Sequence, residues 1–140
     1  MCGGYLTMDL YHTGLKPYLP AKLGSEQPRS GAGVKVVFLL TVSGRALRQV
    51  VRLVRRLDGP SSYFYVHVDA RQDYLHRELT RLAGSMPNLR VARRRFSTIW
   101  GGASLLTMLL SCMQELLDIK DWSWDFVLNL SESDYPVKTR

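Results

Sequence analysis

The chain has 140 residues, of which 46% are hydrophobic and 22% are charged, and this ordinary globular composition excludes wholesale disorder and predicts one domain or part of one. The longest unbroken apolar run, residues 36–40, is far shorter than the roughly 20 residues that a membrane-spanning helix needs. Two cysteines exclude a disulfide-dense scaffold and a multi-cysteine zinc site, while the net charge of +7 raises the question of a nucleic-acid partner.

The first 33 residues differ from the rest of the sequence. They are rich in Gly, Pro and Ser and show no sustained periodicity, and the stretch 25–33 (SEQPRSGAG) is typical of a connector. We therefore predict a flexible N-terminal arm over 1–33 and a folded, partial domain over 34–140.

From residue 34 onward, strand-like and helix-like patterns alternate. The β-branched and apolar run at 35–42 predicts a strand that is buried on both faces. Three further strands are predicted at 63–68, 89–92 and 125–130. Helices are predicted between them at 45–57, 74–83 and 103–119.

Each crossover is long enough for a right-handed βαβ unit, so we predict an α/β fold with a mostly parallel sheet and helices on its faces. Asp73 is the expected cap of the second helix and Gly84 its stop signal. The third helix is apolar around most of its circumference and is expected to be largely buried. Only ten residues and no helix follow the last strand, so we expect the domain to be incomplete at its C-terminus, Arg140.

Two clusters of arginines contribute to the positive charge. The first helix carries basic residues at spacings of three and four, namely Arg45, Arg48, Arg52 and Arg55. They share one helical face, which favours the solvated surface of an amphipathic helix. The arginines at 93–95 could hold phosphates of a nucleic acid or a nucleotide. Because no helix-turn-helix, zinc-finger or RNP-type pattern accompanies them, we expect no nucleic-acid partner.

Candidate functional residues follow the predicted strands, because ligands of open α/β sheets bind beyond the carboxyl ends of the strands. Asp69 ends the second strand, where its carboxylate could accept hydrogen bonds from ribose hydroxyls or a uracil N–H, or could serve as a turn or cap aspartate. Trp100 stands before two glycines and could stack on a base or a sugar. His67 lies within a strand, so a packed, hydrogen-bonded role is favoured over catalysis.

After the fourth strand, Glu132 and Asp134 form a close carboxylate pair that could serve acid/base chemistry, although turn or capping roles are favoured. Asn129 begins a formal glycosylation sequon and is expected to be buried in a central strand. The stretch after the first strand has one glycine where a dinucleotide loop needs three, which argues against NAD or FAD. No Walker loop, Asp-x-Asp motif or metal-ligand spacing is present in the sequence, so no metal site is expected.

Five stretches of the sequence carry a family resemblance: VHVD at 66–69, YLHR at 74–77, TIWGGASLL at 98–106, DWSWDF at 121–126, and NLS with DYP between 129 and 136. They resemble the protein O-xylosyltransferases, which start proteoglycan glycosaminoglycan chains by moving xylose from UDP-xylose to a serine of a core protein. The resemblance runs from about residue 34 to residue 140. The related core-2 and I-branching N-acetylglucosaminyltransferases share the broader pattern but lack the TIWGGASLL string.

The resemblance implies a Rossmann-like, nucleotide-sugar-binding domain of GT-A type, of which this chain is the UDP-binding half. It places UDP contacts on Thr41, Asp69, Thr98, Ile99 and Trp100. It further implies UDP-xylose as donor without a metal site, Ser-Gly sites of proteoglycan core proteins as acceptor, and the lumenal side of the Golgi membrane, with the endoplasmic reticulum or secretion as alternatives.

The family's catalytic base and diphosphate contacts match no residue of this sequence, and the resemblance implies that they lie beyond Arg140. The catalytic residue is therefore unassigned, and the chain alone is expected to be inactive. The family's membrane anchor is likewise not matched. Ser43 stands where the family usually has histidine, so no side-chain role is carried over to it. Two alternatives stay open, an N-acetylglucosaminyltransferase of the same superfamily and a non-catalytic product that keeps the fold.

Overall fold

The computed structural model describes residues 33–138, in which strands and helices alternate as the sequence predicts. The strands are β1 Val36–Val42, β2 Ser62–Val68, β3 Leu89–Val91 and β4 Phe126–Ser131. The helices are α1 Leu47–Leu57, α2 Asp73–Ala83 and α3 Ala103–Asp118. The arm predicted over 1–33 lies, except for Gly33, outside the described residues, and its boundary with the domain stays a prediction.

The four strands form one sheet in the order β3-β2-β1-β4, and every neighbouring pair is parallel. β1 is central, with Val36 opposite Ser62 on one side and Phe126 on the other. The predicted burial of β1 on both faces is confirmed, because Val37, Leu39 and Leu40 are fully buried. The predicted α/β class is therefore confirmed, and the carboxyl ends of β1, β2 and β4 meet at one edge of the sheet.

Helices cover both faces of the sheet. One face packs side chains of β1 and β2, such as Phe38 and Phe64 with ring centroids 5.6 Å apart, against α1 and α2. The other face packs against α3, whose Met108, Cys112 and Leu116 contact the sheet. Burial raises the pKa of the Cys112 thiol to about 12.

None of the helices within residues 33–138 is long and apolar enough to cross a membrane.

The expectation that α3 is largely buried was wrong. Its sheet-facing side is buried, but four large apolar residues are exposed to solvent on its surface: Leu106, Leu110, Met113 and Leu117. A helix that lies on a sheet buries only the side that faces the sheet, and within the described residues nothing covers the other side.

Two smaller expectations also need correction. Asn129 is exposed, because β4 is an edge strand of the described sheet rather than a central one. Asp73 is not a capping residue: the N-cap of α2 is Gln72 without a side-chain bond, and the carboxylate of Asp73 accepts a 2.8 Å hydrogen bond from Arg95. Gly84 ends α2 as predicted.

Candidate functional site

A cleft of about 830 Å³ opens at the edge of the sheet where β1, β2 and β4 end. Its lining comes from the ends of these three strands and from the loop between β3 and α3, and includes Thr41, Ser43, His67, Arg71, Thr98 and Trp100. The position agrees with the general rule that open α/β sheets bind ligands beyond the carboxyl ends of their strands.

The structure brings three of the five predicted contact residues together at this cleft. Thr41, Thr98 and Trp100 line it, whereas Ile99 is exposed outside the lining and Asp69 lies behind it. The indole of Trp100 is 96% exposed, so one of its faces is free to stack on a planar ligand. Gly101 follows with φ at 72°, a left-handed conformation that favours glycine and lets the chain turn into α3.

Asp69 is only 1% exposed, and both of its carboxylate oxygens are taken by neighbouring donors. Arg71 donates from Nε at 2.8 Å, from Nη2 at 2.8 Å and from its backbone N–H at 2.9 Å. Thr98 donates from its backbone N–H at 3.0 Å and from its hydroxyl at 3.3 Å. The hydrogen bonds from the Arg71 side chain hold the pKa of Asp69 far below its ordinary value. Asp69 therefore links the end of β2 to the loop that carries Thr98 through hydrogen bonds.

Arg71 is a cleft residue that the sequence pattern did not single out. Its guanidinium pairs with Asp69 and also donates a 2.9 Å hydrogen bond to the Thr98 carbonyl, yet the side chain remains 60% exposed at the cleft. The paired cation can still meet an anionic or carbonyl group of a ligand, since guanidinium carries five N–H donors. The spacing Asp-x-Arg directly after a strand is the signal that could have identified it.

The arginines at 93–95 do not form one cationic patch. Arg95 turns inward and donates to the carbonyls of Asp69 and Ala70, both at 3.0 Å, while Arg93 lies 3.6 Å from a carboxylate oxygen of Glu115. Of the three, only Arg94 has no ion-pair partner among the described residues. Because two of the three guanidinium groups are already engaged, little positive charge in this cluster is free to bind a phosphate.

His67 is buried, as expected for a packed strand histidine. Its Nε2 accepts a 3.1 Å hydrogen bond from the Phe96 backbone N–H, which requires the neutral ring with its proton on Nδ1. Burial lowers the pKa of His67. A base at Nε2 would lose this bond on taking up a proton, so the geometry favours the structural role.

Glu132 and Asp134 both hold backbone N–H groups. Glu132 Oε2 accepts from Ser43 at 3.1 Å and from Gly44 at 2.9 Å, and Asp134 accepts from the Ser131 N–H at 2.6 Å. The favoured turn role of Asp134 is thus confirmed. Glu132 occupies the two N–H groups after β1 that a phosphate would meet in a nucleotide-binding loop, which agrees with the missing glycine-rich pattern. Among residues 33–138, no three His, Cys, Asp or Glu side chains lie close enough together to hold a metal ion.

The catalytic residue stays unassigned. The family resemblance implies a position beyond Arg140, and Arg140 itself lies outside the described residues, which end at Lys138. Within the cleft, His67 and the two carboxylates after β4 are each engaged by backbone N–H groups. The expected position of the catalytic base therefore remains a prediction.

A family model described as "Branch: Core-2/I-Branching enzyme" matches residues 36–140. The chain belongs to the Core-2/I-Branching enzyme family. Similar proteins include "Xylosyltransferase oxt" of Drosophila pseudoobscura pseudoobscura, 56% identical over 99% of this chain, and "Xylosyltransferase oxt" of Drosophila melanogaster, 54% identical over 99%. "Xylosyltransferase 2" of Homo sapiens is 49% identical over 82% of this chain.

The chain spans only 16% of the two fly relatives and 13% of the human one. The predicted resemblance to protein xylosyltransferases is confirmed. Within this Core-2/I-Branching enzyme chain, the five predicted nucleotide contacts stay predictions. The structure shows how the loop with two of these residues is held in place. Hydrogen bonds of Asp69, Arg71 and Arg95 fix the loop that carries Thr98 and Trp100.

Proposed function

We propose that this chain is the uridine-binding part of a protein xylosyltransferase, which transfers xylose from UDP-xylose to serines of proteoglycan core proteins. The observation that carries the proposal is the 56% identity, over nearly the whole chain, with a protein named a xylosyltransferase. The cleft at the strand ends gives that activity a physical place for the nucleotide, between Thr41 on one side and Thr98 with Trp100 on the other.

In this arrangement the uracil or ribose stacks against the exposed indole of Trp100, and the backbone and hydroxyl of Thr98 border the nucleoside. Arg71, held in place by Asp69, presents its guanidinium to the same space. If uridine contacts the Asp69 carboxylate directly, it replaces one of the five donors that now surround that group. A nucleoside with a different base edge would not replace them equally well, which is the physical basis for uridine selectivity.

The transfer inverts the configuration at C1 of xylose. The serine hydroxyl oxygen forms the new bond to C1, the bond from C1 to the diphosphate oxygen breaks, UDP leaves with that electron pair, and a base takes the hydroxyl proton. His67 does not fit as this base, because its Nε2 is already occupied by the Phe96 N–H. We expect the base and the diphosphate contacts to come from parts of the longer relatives that this chain does not span.

The partners follow from the same proposal. The acceptor is a Ser-Gly site in a proteoglycan core protein, the donor binds without a metal ion, and the enzyme works on the lumenal side of the Golgi, within the secretory pathway. Within the cluster at 93–95, Arg95 and Arg93 are both engaged by groups of the protein itself, and the proposal includes no nucleic-acid partner.

Titration calorimetry of the 140-residue chain with UDP and ADP tests the nucleoside assignment. We expect UDP to bind more tightly than ADP, and Trp100→Ala to weaken UDP binding by about tenfold, the usual loss when an aromatic stacking partner is removed. Phe126→Ala is the matched control, because it removes another exposed aromatic ring from the opposite end of the sheet. Equal affinity for UDP and ADP would contradict the assignment.

Competition between intact donors separates the two branches of the family. UDP-xylose should displace UDP more effectively than UDP-N-acetylglucosamine does. The reverse order would favour the N-acetylglucosaminyltransferase alternative over the xylosyltransferase.

A further inference from the structure

Glu115 is the only charged residue on the buried side of α3, and it is 7% exposed. Its neighbours on that side, Met108, Cys112 and Leu116, are apolar and pack on the sheet. Packing alone does not call for a carboxylate there, since replacing a buried ion with a hydrophobic residue of similar volume is often neutral or stabilising. The reason for a carboxylate at this position therefore lies in the groups that donate hydrogen bonds to it.

Glu115 holds the first residues of the loop between β3 and α3. Its Oε2 accepts a 2.9 Å hydrogen bond from the Arg93 backbone N–H and a 2.5 Å one from the Tyr65 hydroxyl, and its Oε1 accepts from the Arg94 N–H at 3.3 Å. Burial raises the pKa of Glu115, but these three hydrogen bonds and the charge of Arg93 outweigh that effect and leave the pKa below its ordinary value. Burial and Glu115 together raise the pKa of Tyr65, so its hydroxyl stays a donor.

The same loop is attached to β2 at its next residues. The Arg95 side chain donates to two carbonyls after β2, the Phe96 N–H donates to His67, and the Thr98 N–H donates to Asp69. Trp100 follows directly at the cleft. The loop is thus fixed at its start by α3 and in its middle by β2, and its far end carries the residues that face the proposed nucleotide.

We propose that Glu115 is a positioning residue for nucleotide binding, which acts by fixing the loop at residues 93–98 and, through it, Thr98 and Trp100. This inference rests on the proposed function for its ligand, while the fixing of the loop can be tested without a ligand. Glu115 lies about three helical turns beyond the loop on the helix that the loop enters, so one contact fixes both the start of the loop and the position of α3 along its axis.

Three variants separate positioning from mere stability. Glu115→Gln keeps the shape of the side chain but turns an amide NH2 toward backbone donors. Glu115→Met keeps the apolar packing and removes every hydrogen bond to the loop. Tyr65→Phe removes only the hydroxyl donor. Asp118→Asn is the matched control, an acid-to-amide change at an exposed position of the same helix. Each variant is measured for melting temperature, UDP affinity and the rate of tryptic cleavage after Arg94, an exposed loop residue, at a temperature well below melting.

For both Glu115 variants we expect UDP affinity to fall and cleavage after Arg94 to accelerate, each by about tenfold, with a smaller change for Tyr65→Phe and none for Asp118→Asn. A lower melting temperature with unchanged cleavage and unchanged UDP affinity would show a purely structural role and overturn the proposal. If the Glu115 variants do not fold, Tyr65→Phe decides by the same two readouts. If the wild-type chain does not bind UDP, the proposed function fails, and the cleavage rate alone confirms or refutes the fixing of the loop.

Discussion

The two walls of the cleft are built differently. The β2 wall has Arg71 and Thr98 in its lining and, behind them, the buried carboxylate of Asp69, which accepts from five donors and has an arginine partner. The β4 wall, which consists of Glu132 and Asp134, has carboxylates that accept only from backbone N–H groups, with no ion pair among the described residues. A wall with many mutual bonds keeps its shape when a ligand arrives, whereas one whose carboxylates accept only from a few backbone N–H groups can rearrange at small cost. The side of the cleft on which we propose the nucleoside is therefore preorganised, and the opposite side is adjustable.

The largest effect that this comparison predicts is the loss of Asp69. Asp69→Ala leaves the Thr98 N–H without a partner and releases Arg71. We expect this variant to lower the free energy of unfolding by about 2–3 kcal/mol, because a buried acceptor is lost while the arginine remains partly hydrated. Glu132→Ala should lower it by about 1 kcal/mol or less, since water can reach the freed N–H groups. Urea denaturation of both variants gives the two numbers, and equal losses would show that the two walls do not differ.

A smaller effect is expected at Gly44, on the side of the cleft that faces Glu132. A Cβ at this position would lie 2.3 Å from Glu132 Oε1, so Gly44→Ala must push that carboxylate off the two N–H groups. We expect a loss of about 1 kcal/mol, and the double variant Gly44→Ala with Glu132→Ala should lose no more than either single change, because both remove the same contact. Strictly additive losses in a double-mutant cycle would mean that the glycine serves another purpose.

The smallest effect is a pH dependence from His67, on the other side of the cleft. Burial and the charge of Arg95 lower the pKa of this histidine, and Asp69 and Glu115 oppose them without cancelling them. The unfolded chain therefore binds a proton near pH 6.5 that the folded chain does not, so the contribution of His67 to stability is full above that pH and is lost as the pH falls below it.

His67→Gln removes this titration, while its amide oxygen can still accept from the Phe96 N–H. We expect the difference in unfolding free energy between the wild-type chain and this variant to shift by about 1 kcal/mol or less between about pH 8 and pH 5.5, in favour of the variant at low pH. NMR titration of the His67 ring protons gives an independent measure. A ring that titrates at or above its ordinary pKa in the folded chain would contradict the neutral state.

The sequence predicted the sheet and the order of its elements because both depend on local periodicity, which is strong in the runs at 35–42 and 63–68. The family resemblance named Thr41, Thr98 and Trp100 as contact residues, and the structure brings these three together at the edge where the parallel strands end. It did not predict that Asp69 would be saturated by Arg71 and Thr98, because a carboxylate at a strand end looks the same in sequence whether it faces a ligand or a loop.

Glu115 and Glu132 were harder still. A single glutamate in a helix resembles any solvated residue of that helix, and only the pairing of α3 with Tyr65 and the Arg93 backbone shows that it is buried. The contact of Glu132 with Gly44 depends on the register of β1 against β4, two strands separated by most of the domain. Long-range register of this kind is not encoded in any short motif.

The buried thiol of Cys112 can report when α3 moves away from the sheet. At neutral pH a thiol with a pKa of about 12 is almost wholly protonated, and thiolate is the form that alkylating reagents attack. Since Cys112 packs between α3 and the sheet, labelling requires that the helix first lift away from the sheet. In a Cys2→Ser background, the rate of iodoacetamide modification therefore times the undocking of the same helix that carries Glu115, without any added probe.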